Sequence, residues 1–160
     1  NLDLAAPLPK FNFFNAAAPI YTRSRYLPPS KIQDSDIGNS LVSEGCILNG
    51  VYARNSIIGL RSRIDSGVRI ENSIIMGSDF FESIPELREN LDSGRPSIGI
   101  GRDTHIRRAI VDKNVRIGKG VRLLNEAGRT DYDSPDEAFY IRDGIIIVPK
   151  NSVIADGTVI

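Results

Sequence analysis

Isoleucine, valine or leucine returns at every sixth position in five separate stretches of this chain. The clearest run is Ile58, Ile64, Ile70 and Met76, each followed at once by glycine or an acidic residue. Val42 to Leu48, Ile100 to Ile106, Val111 through Ile117 to Leu123, and Val148 through Ile154 to Ile160 keep the same step. Neither the period of an amphipathic helix nor the alternation of a strand produces it. A solenoid does, when each hexapeptide is one short strand plus a corner and three hexapeptides close a coil. The spacing therefore predicts an all-β parallel β-helix of about five coils, with one apolar residue per hexapeptide pointing inward.

Two interruptions and one preface break the beat. Residues 1–31 carry no repeat. Pro7, Pro9, Pro19, Pro28 and Pro29 exclude regular helix there and favour an extended, semi-rigid connector. Its aromatic cluster, Phe11, Phe13 and Phe14, is expected to pack on a neighbour. The β-helix then occupies 32–160, with insertions near 77–97 and 125–140. In the first, Ser83 reads as the N-cap of a short helix, Pro85 and Glu86 fill its first turn, and Gly94 ends it. The second carries Asp131, Asp133, Asp136 and Glu137, but neither the turn glycine nor the terminal glutamate spacing of a calcium loop, so it reads as a solvated loop.

Composition excludes some partners. A formal net charge of +0 argues against nucleic acid or an anionic membrane held by bulk charge, and no apolar run approaches a membrane span. Cys46 stands alone, so no intrachain disulfide forms, and it reads as a small buried residue. The only methionine is Met76, and the chain is expected to be part of something longer.

Chemistry-bearing residues are few. Hexapeptide solenoids can host acyl transfer with a histidine base, and His105 is the only candidate; it precedes an inward position and so should face outward. One histidine type is a poor basis for a three-histidine zinc site. Gly99-Ile100-Gly101 lacks the third glycine of a phosphate cradle. Cations are more suggestive. Arg23 and Arg25 leave the connector just before the solenoid, and Arg102, Arg107, Arg108, Lys113, Arg116, Lys119 and Arg122 crowd the third run. Lys113 and Lys150 each follow an inward valine, Val111 or Val148, by two positions, which places both ammonium groups on one flank. A bound anion would relieve their repulsion. The plainer reading is a solvated arginine-rich face, with Asp103 and Asp112 as partners.

Several segments together resemble a known family. They are Ala18-Pro-Ile-Tyr-Thr-Arg-Ser-Arg-Tyr-Leu-Pro-Pro-Ser-Lys31, Ser56-Ile-Ile-Gly-Leu-Arg-Ser-Arg63, Pro96-Ser-Ile-Gly-Ile-Gly-Arg102, Ile110-Val-Asp-Lys-Asn-Val-Arg-Ile-Gly118 and Ala155-Asp-Gly-Thr-Val-Ile160. From Phe11 onward the chain resembles the C-terminal domain of the glucose-1-phosphate adenylyltransferases. Gly59-Leu-Arg-Ser-Arg63 and Phe139-Tyr-Ile-Arg142 lean toward the cyanobacterial and plant branch, on its large-subunit side.

The resemblance implies a left-handed β-helix that serves regulation and tetramer assembly, homomeric or heteromeric. The parent would make ADP-glucose and pyrophosphate from ATP and glucose 1-phosphate, for glycogen or starch, in the cytoplasm of a bacterium or the stroma of a plastid. Catalysis and Mg2+ belong to a preceding nucleotidyltransferase domain outside these residues, so no catalytic, metal or cofactor site is expected here. The partners implied are that domain, the other subunits, and the phosphate-bearing effectors 3-phosphoglycerate and phosphate.

Two effector lysines of the family fall on Lys113 and Lys150, whose separation (150 − 113 = 37 positions) is the family's. The effector arginine falls on Arg25. Arg23 stands where glutamine is often found. Acyl transfer by His105 and a purely structural β-helix remain the alternatives.

Overall fold

A computed structural model describes residues 1–160. The period of six becomes three walls of short strands, taken one after another around each coil. The first coil is β1 (Lys31–Gln33), β2 (Asp36–Gly38) and β3 (Leu41–Val42). The second is β4 (Ile47–Asn49), β5 (Tyr52–Arg54) and β6 (Ile57–Ile58), and the third β7 (Arg63–Ile64), β8 (Arg69–Glu71) and β9 (Ile74–Ile75). Helix α1 (Ile84–Ser93) intervenes before the fourth, β10 (Gly99–Ile100), β11 (His105–Arg107) and β12 (Ala109–Val111). The fifth begins with β13 (Arg116–Ile117) and β14 (Arg122–Leu123). A hairpin, β15 (Tyr132–Asp133) and β16 (Tyr140–Arg142), precedes its third side, β17 (Ile145–Val148), and β18 (Val153–Ile154) opens a sixth.

Strands of successive coils pair in parallel, so the walls run β1-β4-β7-β10-β13-β18, β2-β5-β8-β11-β14 and β3-β6-β9-β12-β17. Register is kept residue for residue. Leu48 lies beside Ile64, Ile64 beside Ile100, and Ile100 beside Ile117. All four are essentially buried, as are Ile58, Ile70, Ile106 and Leu123. Full burial of each such side chain stabilises by about 1.5–3 kcal/mol.

Corners demand a left-handed residue, because the chain turns sharply without a helix. Asn39, Asn55 and Asn72 fill one column of corners, and Arg61, Asn114 and Asn151 belong to another, all at positive φ. Asparagine tolerates this region better than other side chains with a Cβ.

Two sequence expectations need correction. Met76 is exposed at the corner and Ile75 points inward, so the step shortens to five where the insertion departs. The second insertion is more than a loop, because β16 and β15 extend the third wall in antiparallel sense. Asp133 there accepts Arg142, and Asp136 accepts Ser134 Oγ, which accounts for two of the four carboxylates. Within the connector, Phe11 and Phe13 meet edge to face at 5.6 Å, and Phe14 is open to solvent. The connector also opens with a single 3-10 turn, Leu2–Ala5.

The first insertion forms the helix expected of it. Ser83 and Glu86 make a reciprocal capping box, and Gly94 closes the helix in the left-handed conformation. Only Asn90 of α1 is buried, so the helix is held from outside. Glu82 does this: its carboxylate pairs with Arg116 Nη1 at 2.7 Å and accepts Asn90 Nδ2 at 2.7 Å and the Ile98 N–H at 2.8 Å.

Candidate functional site

The corner after the third wall repeats one short template. Val111-Asp-Lys113 leads to left-handed Asn114, and Val148-Pro-Lys150 to left-handed Asn151. The Asn151 N–H donates to Lys113 O at 3.0 Å, which stacks the two corners directly. Equal phase therefore becomes adjacency, and Lys113 and Lys150 lie on one flank.

Between them sits a residue that the sequence did not single out. Asp79 Oδ1 accepts Lys113 Nζ at 2.9 Å, and Oδ2 accepts Lys150 Nζ at 2.7 Å. Asn114 ties the same carboxylate down: its Nδ2 donates to Oδ2 at 3.2 Å while its Oδ1 accepts the Asp79 N–H at 2.8 Å. Hydrogen bonds from Lys150, then from Lys113, hold the Asp79 carboxyl well below the usual carboxylate range. The Asp79 hydrogen bond in turn holds the Lys150 ammonium above the usual lysine range. The Lys113, Lys150 and Asp79 side chains are 36%, 48% and 37% exposed, so a solvent anion can reach all three.

The connector completes the surroundings. Pro28 O accepts the Gly45 N–H at 2.9 Å and Cys46 O accepts the Lys31 N–H at 2.8 Å, which seats the end of the connector against the first corners. Arg23, Ser24, Arg25 and Tyr26 thereby line an open cavity of ≈ 480 Å³ with Leu60, Arg61, Ser78, Asp79 and Lys113. Arg25 and Arg23 form no ion pair, and Arg61 contacts only Ser78 O at 3.3 Å and the Phe81 ring. Asp112 is spent locally, accepting the Lys113 N–H at 2.6 Å. Arg23, Arg25, Arg61 and Lys113 thus line one cavity with a single carboxylate, Asp79, which Lys150 reaches from the next coil. Such a surplus suits a multiply charged oxyanion.

Neither Asp103 nor Asp112 forms a direct ion pair with a lysine, although the Asp112 charge helps to hold the Lys150 ammonium above the usual range. The other cations of the third run disperse. Arg116 holds Glu82, Lys119 faces Asp156 at 3.5 Å, and Arg122 reaches Glu126. Arg61 was legible: it occupies the left-handed corner position three residues after Ile58, as Asn114 does after Val111. Asp79 lies in the insertion, where no period could point to it.

His105 faces outward on β11, half-buried, with its Nε2 2.9 Å from Glu71 Oε2. Its cross-strand neighbours are Arg69 and Arg122 on an open sheet face. No three His, Cys, Asp or Glu side chains come together as a metal-binding group. Cys46 is buried, its Sγ donating to Gly59 O at 3.1 Å, and burial raises its thiol above the usual range. No helix is long and apolar enough to cross a membrane.

A three-walled parallel β-helix with a basic corner agrees with what the comparison with known families finds. The family model for the GLGC left-handed parallel beta-helix domain matches residues 25–159, which include the seat of the connector, both insertions and every coil. The handedness of the solenoid follows from that family. This chain belongs to the GLGC left-handed parallel β-helix domain family, the C-terminal domain family of glucose-1-phosphate adenylyltransferase.

Proposed function

We propose that this domain regulates and assembles a glucose-1-phosphate adenylyltransferase of the cyanobacterial and plant branch, and that its basic corner receives the phosphate of an effector. One observation carries the reading: Lys113 and Lys150, from separate coils, converge on one carboxylate at 2.9 and 2.7 Å. A phosphate monoester presents three oxygens and about two negative charges, and so suits the same two ammonium groups. Arg25, Arg23 and Arg61 supply further donors from the cavity wall. In this reading 3-phosphoglycerate and inorganic phosphate compete for the corner. The chemistry that joins ATP and glucose 1-phosphate, with its Mg2+, resides in a catalytic domain outside these residues. The parent works in the cytoplasm of a bacterium or in the plastid stroma of a plant.

Assembly has its own support. Leu41, Ile57, Ile74, Ile110 and Ile147 stand in register across the outer face of the third wall, each half-buried. A continuous apolar stripe of this kind suits packing against the catalytic domain or another subunit of the tetramer.

The test replaces Lys113 or Lys150 by glutamine in the full-length enzyme and measures activation across 3-phosphoglycerate concentrations. Loss of one charge-assisted contact raises the half-activating concentration by roughly tens of fold. Lys10→Gln, outside the site, leaves it unchanged. An unaltered half-activating concentration in both corner variants refutes the reading.

A further inference from the structure

The corner already holds an anion of its own. Asp79 uses both carboxylate oxygens, one on each ammonium, and accepts a third donor from Asn114. A phosphate placed within hydrogen-bond distance of both Nζ atoms meets the same two oxygens, and two anions at that range repel.

We propose that Asp79 is a built-in counter-anion, which occupies the Lys113–Lys150 clamp until an effector phosphate displaces it and so sets the concentration at which the site fills. The inference rests on the reading of the corner as a phosphate site.

Geometry supports displacement over joint binding. Asp79 is the only carboxylate that contacts either ammonium group. It is exposed enough to swing out into water, where an ionised carboxylate is well solvated. Its backbone is tethered on both sides, through the Ser78 N–H to Leu60 O at 2.8 Å and through the Glu82 carboxylate to Arg116. Release of the side chain therefore needs only the Asn114 contacts and the short arc 79–81 to adjust. That arc includes Phe81, whose ring lies 5.7 Å from the Arg61 guanidinium, so its movement also frees Arg61 for the incoming anion. At rest, Asp79 keeps two lysines from repelling one another, and the clamp stays preformed. A site occupied by its own anion shows an affinity lowered by the fraction of time it is blocked. With two exposed ion pairs to break, that reduction is about tenfold.

Inorganic phosphate, titrated into this chain and followed at the amide signals of Asp79, Asn114 and Asn151, tests the proposal. Asp79→Asn keeps the shape and the Asn114 contact while removing the charge, and is expected to tighten binding about tenfold. Asp79→Ser serves as a second variant if the first is poorly folded, with the same expected direction. Asp156→Asn, which frees Lys119 at another corner, controls for bulk charge and should change nothing. Equal or weaker binding after loss of the Asp79 charge overturns the counter-anion, as does tightening of the same size in Asp156→Asn. Lys113→Gln with Lys150→Gln in the Asp79→Asn background separates the two claims. Binding lost there supports the corner as the phosphate site, and binding retained overturns that reading itself.

Discussion

Glu82→Ala should detach the helical insertion while leaving the solenoid standing. The Glu82 carboxylate is 5% exposed, pairs with Arg116 and accepts hydrogen bonds from Asn90 and Ile98. Its removal leaves the Arg116 guanidinium, 12% exposed, with Pro96 O at 2.8 Å as its hydrogen-bond partner and only the more distant Glu86 charge beside it. Breaking a buried pair from one side costs about 3–5 kcal/mol, because the surviving charge is stranded. The buried Asn90 amide loses its partner too, at about 1–3 kcal/mol. These costs do not add, because the insertion can escape both by unfolding locally. Its own resistance is small: α1 has ten residues, shorter than the roughly 12–15 at which isolated helices become even marginal. Ile84 and Leu91 are 67% and 81% exposed, so little apolar burial holds it. Hydrogen exchange read by mass spectrometry should show residues 79–97 losing protection, while β7, β8 and β13 keep theirs. Adding Arg116→Met should restore part of the protection, since the stranded guanidinium is then gone. Retained protection across 79–97, or joint loss in insertion and walls, refutes this account.

Two further outcomes follow from the same contacts. Ile106→Ala, fully buried between Ile70 and Leu123 in the second wall, should cost about 2–5 kcal/mol in urea denaturation, whereas Ile47→Ala on an outer face should cost under about 1 kcal/mol. The Asp79 carboxyl is depressed in the folded state, so its stabilising contribution is present above the ordinary aspartate value of about 3.9 and is lost only as pH falls below that toward the folded value. Carbon-detected titration should find Asp79 still ionised at about pH 4, with Lys150→Gln raising its midpoint more than Lys113→Gln; an Asp79 midpoint at or above the ordinary value contradicts the clamp.

The solenoid was legible because its interior tolerates only one kind of residue at each sixth position, and Ile58, Ile64 and Ile70 could not have been elsewhere. Where two apolar residues stand side by side the period cannot choose between them. Ile75 won over Met76 because the chain had to turn at Gly77 to begin the insertion. The lysines were legible for the same reason as the core, since a corner residue two positions after an inward valine repeats its direction in the next coil. Arg61 carried that signal as well, one corner position later.

Asp79 carried none, and the reason is physical. A periodic column can place cations at a fixed pitch, but every residue in it faces the same way, so the column cannot supply the group that lies across from it. That group has to come from outside the repeat. Here the break at Gly77 provides it, and the position of the break is fixed far away in sequence, by Glu82 on Arg116. Periodicity thus reveals the half of the site built by the coils, whereas the half built by the insertion depends on a contact between residues 34 positions apart, as Asp79 and Lys113 are. Loosening that anchor through Glu82 and removing the Asp79 charge therefore have distinguishable effects. The first frees the anion together with its helix, while the second empties the clamp and leaves α1 in place.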